Sequence, residues 1–172
     1  MSHQSCCKAT EIRPLRDSLK GVSRLEGAPK TWRDRPDFSH LSVLIVEDDP
    51  DSRDLLREVL QACGASVVEA DNIKTAKECV GTVKLNLIVT DLALPGDDGA
   101  AFLTWLRQQP HARGGTLPAV AVTAYSERYP PSEVSGWAAY FQKPVNIDDF
   151  VRTIAAILNK PGGAGARTVS AP

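Results

Sequence analysis

Five side chains of this 172-residue chain could do chemistry together: the carboxylates of Glu47, Asp48 and Asp91, the hydroxyl of Thr123 and the ammonium of Lys143. Each follows a short apolar run, namely Val43–Leu44–Ile45–Val46, Leu87–Ile88–Val89, Ala119–Val120–Ala121–Val122 and Ala138–Ala139–Tyr140–Phe141–Gln142. Runs of this kind read as strands buried on both faces, and open parallel sheets bind ligands outside the carboxyl ends of their strands. Three carboxylates meeting there repel one another unless a cation neutralises them, and hard oxygen ligands with few protein contacts suit Mg²⁺. A metal, a lysine and a hydroxyl around one carboxylate are what an incoming phosphoryl group needs, because transfer to Asp91 spreads charge over three equatorial oxygens. Taken singly, each residue has a plainer use: Asp91 could start an ordinary turn, Thr123 end a strand, Lys143 sit in solvent.

The elements that must position them alternate in type. After the first strand, Asp49–Pro50 reads as an N-cap followed by proline at the first helical position, with Leu55, Leu56, Val59, Leu60 and Cys63 along one helical face and Gly64 as the stop. Ser66–Val67–Val68–Glu69–Ala70 makes a second strand, and Ile73, Ala76, Cys79 and Val80 line a second helix begun near Asp71 or Asn72 and ended by Gly81. Phe102, Leu103 and Leu106 give a third helix beyond the Asp91 loop. Between Tyr125 and Gly136 the pair Pro130–Pro131 blocks backbone donors, so at most a turn or two is expected, around Ser132–Ser135. Asn146 caps a last helix buried through Ile147, Phe150, Val151, Ile154, Ile157 and Leu158. Five strands alternating with helices predict an α/β fold, a doubly wound five-stranded parallel sheet with a shortened or irregular fourth helix. The order 2-1-3-4-5 is taken from the flavodoxin-like group of such sheets.

Size and charge bound the rest. One domain with a sizeable core is expected at this length and 42% apolar content. Residues 1–40 read as a basic, largely disordered extension with a short helix near 11–20, 41–159 as the domain, and 160–172 as a disordered tail. Residues 41–159 carry 10 Lys and Arg against 16 Asp and Glu, whereas the flanks carry 10 against 5. Such spread-out basic charge serves solubility before it serves nucleic acid. Trp32 in the extension is expected to pack locally. No stretch has the apolar length of a membrane span or the core of a signal peptide, so a cytoplasmic location is expected. The spacing of the four cysteines reads as neither a disulfide framework nor a metal motif, so reduced thiols are expected, and three scattered histidines argue against zinc.

Val46–Glu47–Asp48–Asp49, Asp91–Leu92–Ala93–Leu94–Pro95–Gly96–Asp97–Asp98–Gly99, Thr123–Ala124 and Lys143–Pro144, in this order and spacing, resemble the receiver domain of two-component response regulators over about residues 41–159. The resemblance implies that Asp91 is the phospho-acceptor, receiving its phosphoryl group from a sensor histidine kinase or histidine phosphotransfer protein. It implies a Mg²⁺ ion held by Asp48, Asp91 and the backbone carbonyl of Ala93, with Glu47 acting through metal-bound water. Thr123 would donate to a phosphoryl oxygen, Lys143 would pair with Asp91 or the phosphoryl, and Tyr140 would change rotamer on activation. Asp49 is read instead as a helix cap, and Asp97 and Asp98 as turn residues. The chain would then be a phospho-acceptor rather than a turnover enzyme, signalling through a downstream protein target, with homodimerisation left open and no DNA-binding domain in the sequence.

Two rival classes are weighed against this reading. An aspartyl-intermediate phosphohydrolase on a similar sheet wants a second Asp two residues beyond the acceptor, where Ala93 stands. A receiver-like interaction module that never takes phosphate would typically lack a metal carboxylate or the lysine, and none is missing. Ala93 and Tyr125, two residues beyond Asp91 and Thr123, also lack a group to position an attacking water, so slow self-hydrolysis is expected.

Overall fold

Alternation of side chains across each strand decides which helix covers which face. The computed structural model describes residues 35–95, 97–130 and 136–159. The strands β1 (Ser42–Val46), β2 (Ser66–Ala70), β3 (Leu87–Asp91), β6 (Ala119–Thr123) and β7 (Ala139–Gln142) form one parallel sheet in the order β2-β1-β3-β6-β7, while β4 (Ala93–Leu94) and β5 (Asp97–Asp98) form a separate two-stranded ladder. Counting the strands of this sheet alone, that is the expected 2-1-3-4-5. In β1, Val43 and Ile45 face the helices α1 (Pro50–Ala62) and α4 (Ile147–Leu158), and Leu44 and Val46 face α2 (Ile73–Thr82) and α3 (Gly99–Arg107). Every residue of β3 and β6 is buried, which is why those segments read as continuous apolar runs.

Local chemistry starts and stops the helices largely where expected. Asp49 Oδ1 accepts from the Ser52 N–H at 2.8 Å with Pro50 at the first position of α1, and Gly64 takes φ +95° beyond its end. Asn72 and Asn146 cap α2 and α4 by accepting from the N–H of Thr75 and Asp149. Gly81, however, does not end α2, which runs on to Thr82. A glycine inside a helix costs only about 1 kcal/mol relative to alanine, and Gly81 has a negative φ, so nothing forces a stop there.

The expected irregularity of the fourth helix is seen among the described residues: 124–130 form bends and turns, without helix. The residues singled out for a turn or two, 132–135, lie outside the described residues. Buried aromatics close the core at this place, Tyr129 and Trp137 packing into the cluster of α2 and α3. Arg107 ties the region down, its guanidinium donating to the carbonyls of Gly115, Leu117 and Gly136.

The packed chain reaches back to Phe38, which is 2% exposed and whose N–H donates to the Cys63 carbonyl. Trp32, the helix expected near 11–20 and the tail after 160 lie outside the described residues. Cys63 is a free, buried thiol as expected, whereas the fully buried Cys79 is disulfide-bonded, which corrects the reduced-thiol expectation at that position. No helix among the described residues is long and apolar enough to cross a membrane.

Candidate functional site

Register brings the chemistry-bearing residues together. Val46 lies opposite Thr90, Asp91 opposite Val122, and Thr123 opposite Gln142, so Glu47, Asp91, Thr123 and Lys143 leave four neighbouring strands at one level. Glu47 and Asp48 are the two residues that separate the end of β1 from the Asp49 cap of α1. Lys143 follows β7 directly, its N–H held by the Thr123 carbonyl at 2.8 Å, and its bond to Pro144 is cis.

At the centre, Lys143 Nζ donates to Glu47 Oε2 and to Asp91 Oδ2, each at 2.7 Å. Glu47 is 1% exposed, the Asp91 side chain 7% and the Lys143 side chain 20%, so the two carboxylates are more deeply enclosed than the cation joining them. Burial pushes the Glu47 carboxyl above its ordinary pKa, only partly offset by its bond to Lys143. Burial by itself would lower the Lys143 ammonium, but the bonds to Asp91 and Glu47 outweigh it and raise the group. The exposed Asp48 completes the group: one carboxylate oxygen from each of Glu47, Asp48 and Asp91 lies within 4.8 Å of the others. One ammonium among three carboxylates leaves two negative charges unmatched, the charge of one divalent cation. Glu47 Oε1 is buried without a hydrogen-bond partner among the described residues, an acceptor that a hard cation or its water could satisfy.

The surrounding backbone shapes Asp91 further. Its Oδ1 accepts from the Ala93 N–H at 2.8 Å, and Ala93–Leu94 (β4) pairs antiparallel with Asp97–Asp98 (β5), a small ladder inside what reads from sequence as a plain turn. Thr123 is fully buried and its Oγ1 accepts from the Tyr125 N–H at 3.1 Å. Among the described residues no hydrogen bond joins the Thr123 hydroxyl to Asp91 or Lys143. Tyr140 is half-buried and donates its hydroxyl to the Tyr129 carbonyl at 2.9 Å, so it is tied to the irregular segment and not to the acidic cluster.

A family model described as the response regulator receiver domain matches residues 43–155. This chain belongs to the response regulator receiver family. Among curated relatives of this receiver, an uncharacterised 14.6 kDa protein of Leptolyngbya boryana is 37% identical over 119 residues, covering 68% of this chain and 89% of that protein. The polar-differentiation response regulator DivK of Brucella anthropi is 29% identical over 119 residues, covering 68% of this chain and 95% of its own. Among solved structures, the receiver domain of a sensor histidine kinase from Pseudomonas aeruginosa superposes with a TM-score of 0.63 at 23% identity. It covers 70% of this chain and 98% of that one, and has a magnesium ion in its active-site cleft.

Two residues that shape the receiver's cleft had no prominence in the sequence. Arg53 reads as one more polar residue of the first helix, yet it bonds the carbonyls of Glu47 and Asp48. Gly99 reads as turn material, yet a Cβ there would lie 2.6 Å from the Asp91 carbonyl oxygen and 2.8 Å from Leu92 Cα. Backbone cannot yield as a flexible side-chain tip can. Gly99→Ala is therefore expected to lower stability by about 1–3 kcal/mol, the usual range for overpacking, read as a lower midpoint in urea unfolding at unchanged slope.

Proposed function

We propose that this receiver accepts a phosphoryl group on Asp91 in the presence of Mg²⁺ and signals through protein contacts, as the response element of a two-component system. The observation that carries the reading is the Lys143 ammonium, placed 2.7 Å from carboxylates of both Glu47 and Asp91, residues that lie 96 and 52 positions away in sequence. Asp48, Asp91 and the Ala93 carbonyl would hold the ion with Glu47 behind them, and the ion would supply charge neutralisation for the entering phosphoryl oxygens. Asp91 is the nucleophile: a carboxylate oxygen forms the bond to phosphorus as the bond to the donor's nitrogen or oxygen breaks. Ala93 and Lys143, by donating to Oδ1 and Oδ2, fix the plane of that carboxylate before the donor arrives. Lys143 can turn toward the new phosphoryl oxygens, and Thr123, whose oxygen already accepts from Tyr125, keeps its proton free to donate to one of them.

The donor would be a phosphohistidine on a sensor kinase or phosphotransfer protein. Because the phosphoryl group stays on the chain, the domain is a phospho-acceptor that assists its own modification, not a turnover enzyme. Incubation with acetyl phosphate and Mg²⁺ should add one phosphoryl group per chain by intact mass, and chelation should prevent it. A protein that stays unmodified at saturating donor and metal refutes the reading in favour of a phosphate-independent interaction module.

Ala93 and the outward-facing Tyr125, 61% exposed, offer no carboxamide or carboxylate to orient a hydrolytic water. The phosphorylated wild type should therefore outlive an Ala93→Asn variant by about tenfold or more in a phosphate-release time course. Equal lifetimes would show that some other group positions the water.

A further inference from the structure

We propose that Arg53 is the positioning residue of the metal-binding turn, fixing the backbone of Glu47 and Asp48 so that the exposed Asp48 carboxylate is held where the cation is taken up. The proposal rests on the reading of this cluster as a Mg²⁺ site. Arg53 Nη1 donates to the Glu47 carbonyl at 2.7 Å and to the Asp48 carbonyl at 3.3 Å, while its backbone N–H donates to the Asp49 carbonyl at 3.0 Å. Three successive carbonyls thus end on one residue. On the other side the Glu47 N–H donates to the Ala70 carbonyl at 3.0 Å, so the turn is held from the sheet and from α1 together.

The guanidinium is itself aimed. Glu69, on β2, places Oε1 3.6 Å from Arg53 Nε and 3.5 Å from Arg57 Nη1. A planar guanidinium can present Nη1 to the two carbonyls while Nε faces Glu69; a point-like ammonium on a flexible stem cannot fix both directions at once. Glu47 is enclosed and bonded to Lys143, whereas Asp48 is solvent-exposed and depends on its backbone for its place. Groups that orient metal ligands without touching the metal commonly change affinity by about 10–100-fold, and Arg53 stands in that relation to Asp48.

Calorimetric titration of the full chain with MgCl₂ alone tests this. Arg53→Met, which keeps most of the aliphatic stem, is expected to weaken Mg²⁺ binding by about tenfold while the metal-free thermal midpoint moves little. Arg53→Lys should recover part of the loss. The Mg²⁺ concentration for half-maximal phosphorylation by acetyl phosphate should rise by the same factor, with the rate at saturating Mg²⁺ kept within about twofold. Wild-type affinity in Arg53→Met overturns the positioning role, as does a fall in the saturated rate with no change in Mg²⁺ requirement. A wild-type chain that itself gives no Mg²⁺ signal refutes the metal reading first, and this proposal with it. If Arg53→Met does not fold, Arg53→Gln, with a neutral donor on a shorter stem, carries the same measurements and is judged by the same factor.

Discussion

Asp91→Asn is expected to abolish acetyl phosphate labelling altogether, leaving intact mass unchanged under conditions that modify the wild type. The amide is close in shape to the carboxylate, so the sheet, the short β4–β5 ladder and the cleft should survive, and near-identical far-ultraviolet circular dichroism would verify that. What disappears is the anionic oxygen that attacks phosphorus in the proposed reaction. No neighbour can replace it: Glu47 is engaged by Lys143 in a more enclosed position, and Asp48 lies out in solvent without the paired donors that Ala93 and Lys143 supply to Asp91. A phosphoryl group retained on Asp91→Asn would move the acceptor elsewhere and overturn the assignment.

The second large effect is on stability. Lys143→Met removes the cation between two enclosed carboxylates. In metal-free protein near neutral pH it should cost about 2–3 kcal/mol, below the cost of breaking a fully buried pair because Lys143 keeps a fifth of its side chain in solvent. The pH dependence follows from the directions of the shifts. Lys143 in the wild type is raised above 10.5, so its contribution is fully present below that pH and is lost as pH rises through the folded-state value. Glu47 is raised above 4.5 by burial, so the folded state holds its proton more tightly than the unfolded chain, and stability falls as pH rises from 4.5 through the folded-state value. Without Lys143 the carboxyl loses the group that lowers it, so the variant should gain more stability than wild type when acidified from pH 7 toward pH 5. With an extra uncompensated negative charge in the cleft, Mg²⁺ should also raise its thermal midpoint more than it raises the wild type's. Denaturant midpoints across pH, with chelator and with Mg²⁺, read both effects. Equal pH profiles for the two proteins would show that the Lys143 bridge does not govern the Glu47 carboxyl in solution.

Much of this molecule was already determined by the order of its residues. Period-two sorting of Val43, Leu44, Ile45 and Val46 onto opposite faces, proline after Asp49, asparagine before α2 and α4, and glycine at position 64 are local signals, because each acts on the few residues around it. The acidic, hydroxyl and ammonium residues were legible as a set because every one of them ends an apolar run, and parallel strands bring such ends to one side. Tertiary structure decided the remainder. Register put Lys143 2.7 Å from two carboxylates, a relation between residues as far as 96 positions apart. Packing turned Gly99 from turn material into the only kind of residue that fits against the Asp91 carbonyl, and let Tyr129 and Trp137 join the core cluster of α2 and α3. Arg53 belongs with these: that its guanidinium reaches back to the Glu47 and Asp48 carbonyls depends on where Glu69 of the neighbouring strand stands, and no pattern within one helix records that.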